Sequence, residues 1–313
     1  MTRVLVTGGA GFIGSHIAEA LLARGDQVVV VDDFSSGYQA NLPEGVQLVR
    51  GDLADLEVAR AAVKGCDQVV HCAAQPSVIK SVEDPITSNR CNLGSATSLV
   101  VAAREAGVQR IVYSGSSAVY GDRVEGSASE DAREAPVSPY GMNKLAAEQL
   151  FRMCPELFGI DTVCLRYFNV FGPRQDPSSP YSGVISIFVM RALAGKSPMI
   201  YGDGLQTRDF TYVSDIVSAN LAALDVPSGD GKVVNVGGGV GISLMEVWNT
   251  IREVCGRPEL EADHGEARLG DIVHSRAAVE VAHSTLGFST QVSLADGLSS
   301  TVAWYRSRPN SDS

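Results

Sequence analysis

The sequence predicts a doubly wound α/β fold, a parallel sheet covered by helices on both faces, with a smaller mixed α/β lobe attached. Three observations carry that expectation. Strand-length apolar runs alternate with helical patterns through the first half of the chain, the order that builds a parallel sheet. Glycines stand at 8, 11 and 14, at the first strand–helix junction. An acidic residue, Asp32, closes the second strand 18 residues after Gly14. A chain of 313 residues, 45% hydrophobic and 19% charged, can bury a large core and suits one large domain plus a lobe.

Arg3–Thr7 reads as a buried strand. Phe12–Arg24 reads as a helix with Ile13, Ile17, Ala20 and Leu21 on one stripe, and Gly25 placed to end it. Gln27–Asp32, with four consecutive valines, is the second strand. Further strands are expected at 47–50, 68–72, 111–114, 162–166 and 233–236, with helices at 56–63, 92–106 and 139–158. From about Gly172 the rhythm changes, and prolines 173, 177 and 180 punctuate a loop. Ser243-Leu-Met-Glu246 is a capping box opening a helix that carries Trp248 and Ile251. The expected division is 1–173, with 208–236 returning to the sheet, and a lobe made of 174–207 and 237–313. Residues 308–313 read as a frayed end.

The balance of 25 basic against 36 acidic residues, a net charge of −11, argues against nucleic acid or an anionic membrane as partner. An anionic substrate would need locally placed arginines. The cysteines at 66, 72, 91, 154, 164 and 255 form no C-x-x-C pair, and several lie in apolar runs. They read as reduced core residues, with no metal site. With no signal peptide and no apolar run of transmembrane length, the expected compartment is the cytoplasm.

Gly8 permits a tight turn, Gly11 lets the backbone approach a pyrophosphate, and Gly14 allows close helix–strand packing. Phe12 and Ile13 open the helix whose N-terminus offers N–H groups and partial positive charge to the phosphates. A glycine triplet alone is weak. The strand before it, the helix after it and Asp32 together complete the dinucleotide-binding, or Rossmann, fingerprint. Asp32 can accept from both adenosine ribose hydroxyls and would repel a 2′-phosphate. Asp33 adds charge on the same loop as Ser35, so NAD is expected rather than NADP. Asp52 and Leu53, after the third strand, would meet the adenine edge, and Asp52 reads equally well as a helix N-cap.

Ser138-Pro139-Tyr140-Gly141-Met142-Asn143-Lys144 starts a helix, with Ser138 as cap and Pro139 as first residue. Tyr140 and Lys144, four apart, share one helical face. A phenol titrates near 10, too high for a base at neutral pH. A nearby ammonium and a positive nicotinamide would lower it, equipping Tyr140 to remove a hydroxyl proton while hydride leaves the same carbon. Lys144 can also hold the nicotinamide ribose. Ser114-Gly115-Ser116-Ser117 delivers small hydroxyls to that face, with Ser116 as third member and Ser117 as its understudy. Tyr-x-x-x-Lys by itself is an ordinary solvated helix face; its position downstream of the fingerprint makes it catalytic.

Together these residues resemble the extended short-chain dehydrogenase/reductase family, and within it the UDP-hexose 4-epimerases. The likeness runs through T-G-G-A-G-F-I-G at 7–14, H-C-A-A-Q at 71–75, S-V-E-D-P at 81–85 and V-Y-G at 119–121. It continues with R-Y-F-N-V-F-G-P-R-Q at 166–175, Y-G-D-G-L-Q-T-R-D-F at 201–210 and R-L-G-D-I at 268–272. The resemblance implies contacts to UDP from Asn169, Arg208, Arg268 and Asp271, with Tyr201 near the uracil and Val184 on the substrate side. Asn169 as a loop stabiliser and Tyr201 as lobe packing are the structural alternatives. The two arginines would clamp a diphosphate. Ala73, Ala74 and Asn92 fall on the cofactor side, and Gln75, Ser77 and Val78 run past nicotinamide and sugar. Ser95 departs from the family's usual glycine.

Similar dehydratases carry an Asp-Glu pair beside the active hydroxyl and decarboxylases a Glu, whereas Ser116-Ser117-Ala118 has no carboxylate. The resemblance therefore implies C4 epimerisation of a UDP-hexose through a transient 4-keto sugar. Ser275, where plain-hexose enzymes carry a bulky aromatic, leaves room for a 2-acetamido group. UDP-Glc/UDP-Gal and UDP-GlcNAc/UDP-GalNAc are then both substrates. A UDP-glucuronate 4-epimerase is the alternative, needing a cation facing C6 from among Lys80, Arg90 and Arg191. An NAD-sensing regulator would typically lose Tyr-x-x-x-Lys, which is present here. Leu145, Ala146, Gln149, Leu150 and Met153, and Leu99, Val100 and Ala103, form apolar stripes on two helices; the resemblance implies a homodimer through these two helices per subunit, and core packing would explain the same stripes.

Overall fold

Alternating β-branched residues fix the sheet first, because successive side chains on a strand point to opposite faces. In the computed structural model, which describes residues 1–122, 126–177, 183–267 and 273–307, seven parallel strands form one sheet. They are β1 (Arg3–Thr7), β2 (Gln27–Asp32), β3 (Gln47–Arg50), β4 (Gln68–His71), β5 (Arg110–Ser116), β6 (Asp161–Tyr167) and the edge strand Lys232–Val236. From that edge the order is β6, β5, β4, β1, β2, β3, so the chain starts in the middle and winds outward in both directions.

Val4, Val6, Val28, Val30, Val70 and Val112 face one side, where α1 (Phe12–Arg24) supplies Ile17 and Leu21 and the helix Val213–Asp225 supplies Ile216, Ala219 and Ala223. Leu5, Val29, Val31, Val69, Ile111 and Tyr113 face the other. There α2 (Leu56–Val63), the helix Ser95–Ala106 and the helix Pro139–Phe158 cover them. Leu99, Val100 and Ala103 belong to this core. The expectation that they form an exposed pairing stripe is corrected, since they face β-strand side chains of their own subunit. On the same helix the exposed apolar residue is Val101.

The remaining core, around Trp248, Phe188, Val189 and Leu298, joins the helices Val184–Leu193, Leu244–Val254 and Leu294–Ser307. Short strands border it: Met199–Tyr201 pairs with Asp263–Gly265, and Thr207–Arg208 with Ile242–Ser243. The Ser243–Glu246 capping box is formed, Ser243 Oγ accepting from Glu246 N at 3.1 Å and Glu246 Oε2 accepting from Ser243 N at 2.8 Å. The helix Glu280–Leu286, grouped with the lobe on sequence, instead packs Ala282 into the sheet-side core, joined by Phe288 just after it. Two short helices, Val78–Glu83 and Pro85–Asn89, precede a π-helical turn at Arg90–Gly94, where a single helix over 92–106 was expected. No helix among the described residues is long and apolar enough to cross a membrane.

Candidate active site

β1 to β6 present their C-terminal ends to one cleft of about 1410 Å³. That exceeds the roughly 300–1,000 Å³ typical of a site for one small ligand and leaves room for two. Gly8, Gly11, Phe12, Ile13 and Gly14 form part of its wall. Gly8 has φ +66°, and a Cβ there would sit 2.9 Å from the Ala73 backbone. A Cβ on Gly14 would stand 2.3 Å from the Gly8 carbonyl oxygen, so the turn closes only without side chains. Gly11 caps α1 without any side-chain acceptor, leaving the helix end to an anion.

Asp32 is buried at the end of β2. Its Oδ2 accepts from Ala10 N at 2.9 Å and its Oδ1 from Phe34 N at 2.8 Å. Burial pushes its carboxyl up from the usual value, and the two amide bonds oppose that. Each carboxylate oxygen keeps a lone-pair direction for a ribose hydroxyl. Asp33 accepts from both the amide (2.9 Å) and the hydroxyl (2.6 Å) of Ser35, and both residues line the cleft. Leu53, Ala73, Ala74 and Gln75 line it too, and Gln75 Oε1 is buried with no partner among the described residues. The glycine cradle, the open helix end, the aspartate and this orphan oxygen fit a dinucleotide.

The N-cap reading of Asp52 and the cofactor-side reading of Asn92 are corrected. Asp52 lines the cleft but caps no helix: α2 is capped by Asp55, which accepts from Glu57 N, while Asp52 turns back to accept from Ala54 N at 2.8 Å and pairs with Arg90 at 2.8 Å. Asn92 is absent from the wall. Its side chain points inward, accepting from Gln75 N at 3.2 Å and donating to Gln75 O (3.2 Å) and Ser88 O (2.8 Å). It fixes the Gln75 segment from behind.

β5 runs to Ser116, two residues beyond its expected end, which carries the serine hydroxyls into the cleft. Opposite them the helix Pro139–Phe158 starts as expected, Ser138 Oγ accepting from Gly141 N at 3.1 Å. The Tyr140 amide donates to Ser81 Oγ at 3.1 Å, anchoring the first turn. Tyr140 and Ser116 line the same cleft, and Ser116 Oγ accepts from Ala118 N at 3.2 Å. Burial pushes the Tyr140 phenol up from its usual value, and the nearby Ser116 hydroxyl opposes this.

Lys144 does not touch the phenol in this structure. Its Nζ donates to Ser114 O at 2.8 Å and lies 5.0 Å from the Tyr113 ring centre. The expected lowering of Tyr140 by Lys144 is therefore corrected: the ammonium is held on the Ser114 backbone carbonyl. Burial pulls Lys144 itself down to about 8. Cys72 and Cys91, expected in the core, line the cleft. Burial holds the Cys72 thiol up at about 11, so it stays protonated.

At the far end Ser77, Val78, Ser117, Asn169, Arg208 and Ser275 line the same cleft. Ser77 Oγ accepts from Lys80 N at 3.1 Å, and Arg208 donates to Thr207 O at 2.9 Å. Val184 and Tyr201 are not on this wall. Val184 packs against the lobe core and Tyr201 sits in an outer strand. Arg268 and Asp271 lie outside the described residues. Lys80 and Arg90 reach the cleft, whereas Arg191 donates to Ser197 O instead. Arg174, His274 and Arg276 also line it and were missed. Arg174 lay within the P-R-Q run, but only the fold brings its loop to α1.

Fold and site together define an NAD-dependent enzyme of the short-chain dehydrogenase/reductase type, with the Ser116, Tyr140 and Lys144 side chains gathered at the dinucleotide cleft. The chain belongs to the NAD dependent epimerase/dehydratase family, whose model matches residues 4–237. It is 39% identical to a UDP-glucose 4-epimerase of Mycolicibacterium smegmatis over 98% of this chain and 99% of that one. The structure is similar to that of UDP-glucose 4-epimerase from Thermotoga maritima with UDP-glucose. The TM-score is 0.93 at 35% identity, over 97% of this chain and 98% of that one. It is equally similar to UDP-N-acetylglucosamine 4-epimerase from Methanobrevibacter ruminantium M1 in complex with UDP-N-acetylmuramic acid. There the TM-score is 0.93 at 36% identity, with 98% of each chain covered.

Proposed function

We propose that this enzyme inverts C4 of a UDP-hexose, accepting both plain hexoses and 2-acetamido sugars. The observation that carries the reading is that Ser116, Tyr140 and Lys144 line one cleft with the dinucleotide cradle, at a strand end whose next residues, Ser117 and Ala118, bring no carboxylate. Without an extra acid and base at that point, elimination of water is not favoured and reversal is the simplest outcome.

Held by the glycine turn and Asp32, NAD would supply the hydride acceptor and donor for C4. With NAD⁺ bound, its positive ring would favour the Tyr140 phenolate, which accepts the C4 hydroxyl proton, with Ser116 donating to the reacting oxygen, and returns the proton to the 4-keto sugar after the pyranose has turned over. Lys144 holds its charge at the cofactor end through Ser114 O. Asn169, Arg208, Arg268 and Asp271 hold the UDP, joined by Arg276, whose Nε donates to Ser127 Oγ at 2.8 Å. A fixed nucleotide and a free sugar are what a two-faced transfer requires.

Ser275 supports the wider substrate range, since it lines the cleft with a small side chain. The test is incubation with UDP-Gal, UDP-GalNAc and UDP-galacturonate separately, without added cofactor, reading C4 stereochemistry by NMR. Conversion of the first two is expected, and conversion of the uronate alone would overturn the reading. The subunits pair, in the same proposal, through the faces that carry Val101 and Met153, both exposed on adjoining helices. Val101→Asp should shift the mass measured by light scattering to that of a monomer.

A further inference from the structure

Resting on that reading, an epimerase uses its NAD as a resident catalyst, so the dinucleotide must outlast many turnovers. The segment 173–176 is fastened to both sides of the cleft. Pro173 O bonds to His16 Nε2 of α1 at 2.9 Å, and Arg174 donates to Ser15 Oγ at 3.3 Å and Glu19 Oε2 at 2.7 Å on the same helix. Gln175 O accepts from Tyr305 OH on the C-terminal helix. Asp176 Oδ2 accepts from Tyr38 OH at 2.6 Å. Tyr38 belongs to the loop that follows Asp32 and Asp33, and its own amide donates to Ala10 O at 3.0 Å.

Tyr38, Arg174, Gln175 and Asp176 line the same cleft as Gly11, Phe12 and Asp32. Arg174 takes up φ +68°, a conformation that costs a non-glycine residue free energy and persists where surrounding contacts impose it. Two loops that are 138 residues apart are thus tied by one charge-assisted hydrogen bond at the dinucleotide end. Nothing in the C4 chemistry uses this bond.

We propose that the Tyr38–Asp176 bond is a buckle that retains NAD. It ties the adenosine-side loop to the 173–176 strap, and Arg174 in that strap is held on Ser15 and Glu19 of α1, the helix that opens at the glycine turn, while lining the same cleft. Tyr38 and Asp176 are positioning residues; neither reaches the sugar-side serines. Opening the buckle frees the loop beside Asp32 and speeds loss of the dinucleotide without changing the hydroxyls around C4.

The experiment uses purified holoenzyme of Tyr38→Phe, Asp176→Ala and the double variant. Release of NAD is followed by dilution with excess unlabelled NAD after loading with radiolabelled NAD, in the absence of sugar nucleotide. Each single variant is expected to release NAD about tenfold faster, the scale of one lost charge-assisted hydrogen bond. The double variant should be no faster than the singles, because one bond is removed once. KM for the UDP-sugar should not move. An unchanged release rate in the singles, or additive effects in the double, would overturn the buckle. Because release is read without substrate, a protein that epimerised nothing yet shed NAD faster would sink the proposed activity and leave the buckle standing.

Discussion

The cofactor end and the substrate end of the cleft are built by different means. At the cofactor end the groups come from short stretches next to regular elements: Gly8 to Gly14 between β1 and α1, Asp32 to Ser35 after β2, and Ala73 to Gln75 after β4. Backbone geometry does most of the work there. At the substrate end Ser275 and Arg276 meet Thr207 and Ser127 across long sequence separations, through the Ala128–Ala277 bridge and the bond from Ser275 N to Thr207 O. Long-range backbone contacts bring the loops together there, and the side chains of Ser275, Arg276 and Arg208 face the cleft. A site made of backbone holds one ligand in one pose, while a site closed by side chains from distant loops can fix a nucleotide and still spare volume for a sugar to turn.

Tyr140→Phe strikes the seam between the two ends and should have the largest effect. Turnover should fall by about 10²–10⁴-fold, while the NAD content of purified protein, read by its absorbance after denaturation, stays at wild-type level. Full activity would remove Tyr140 from the chemistry.

Lys144 comes next. Its buried ammonium has a folded value of about 8, below the ordinary 10.5. Between those values the unfolded chain binds more protons than the folded one, so this group makes stability rise with pH across that window and withholds it below. Lys144→Met, freed of NAD, should be more stable than wild type at pH 7 by on the order of 3 kcal/mol, and inactive. Denaturant titrations at pH 7 and pH 10.5 check it, and the advantage should shrink at the higher pH. A variant less stable at both would show that burial does not strain this lysine.

Smaller effects should separate the ends. Gly14→Ala drives a Cβ into the Gly8 carbonyl and should cost about 1–3 kcal/mol of stability together with most of the bound NAD, both measurable on one preparation. Ser275→Tyr should leave NAD content and melting temperature unchanged while raising KM for the 2-acetamido sugar about tenfold over that for the plain hexose. If Ser275→Tyr shed NAD, the two ends would not be independent.

The same contrast explains what could be read in the sequence. β1, α1, β2, β3 and α2 fall at their expected limits, because two-residue alternation in the valine runs and the glycine stops encode them locally. Ser116, Tyr140 and Lys144 were readable as candidates from a strand end and an i, i+4 spacing. The direction of the Lys144 side chain was not, since the Ser114 carbonyl that captures it belongs to another element. The resemblance placed Asn92 on the cofactor side, yet the π-helical turn aims it at Gln75. Leu99, Val100 and Ala103 looked like a pairing stripe because an apolar stripe does not say which partner covers it. Arg174 and Arg276 were missed for the same kind of reason: an arginine in a loop has no local signature, and its place depends on contacts made more than a hundred residues away.

Deuterium at C4 tests the central claim most directly. With UDP-galactose labelled at C4, enzyme carrying only its resident NAD and unlabelled water, the account predicts UDP-glucose that keeps the label at C4 through many turnovers per NAD, because the hydride returns to the carbon it left. Product that has lost its label to solvent, or one product molecule per NAD, would contradict it.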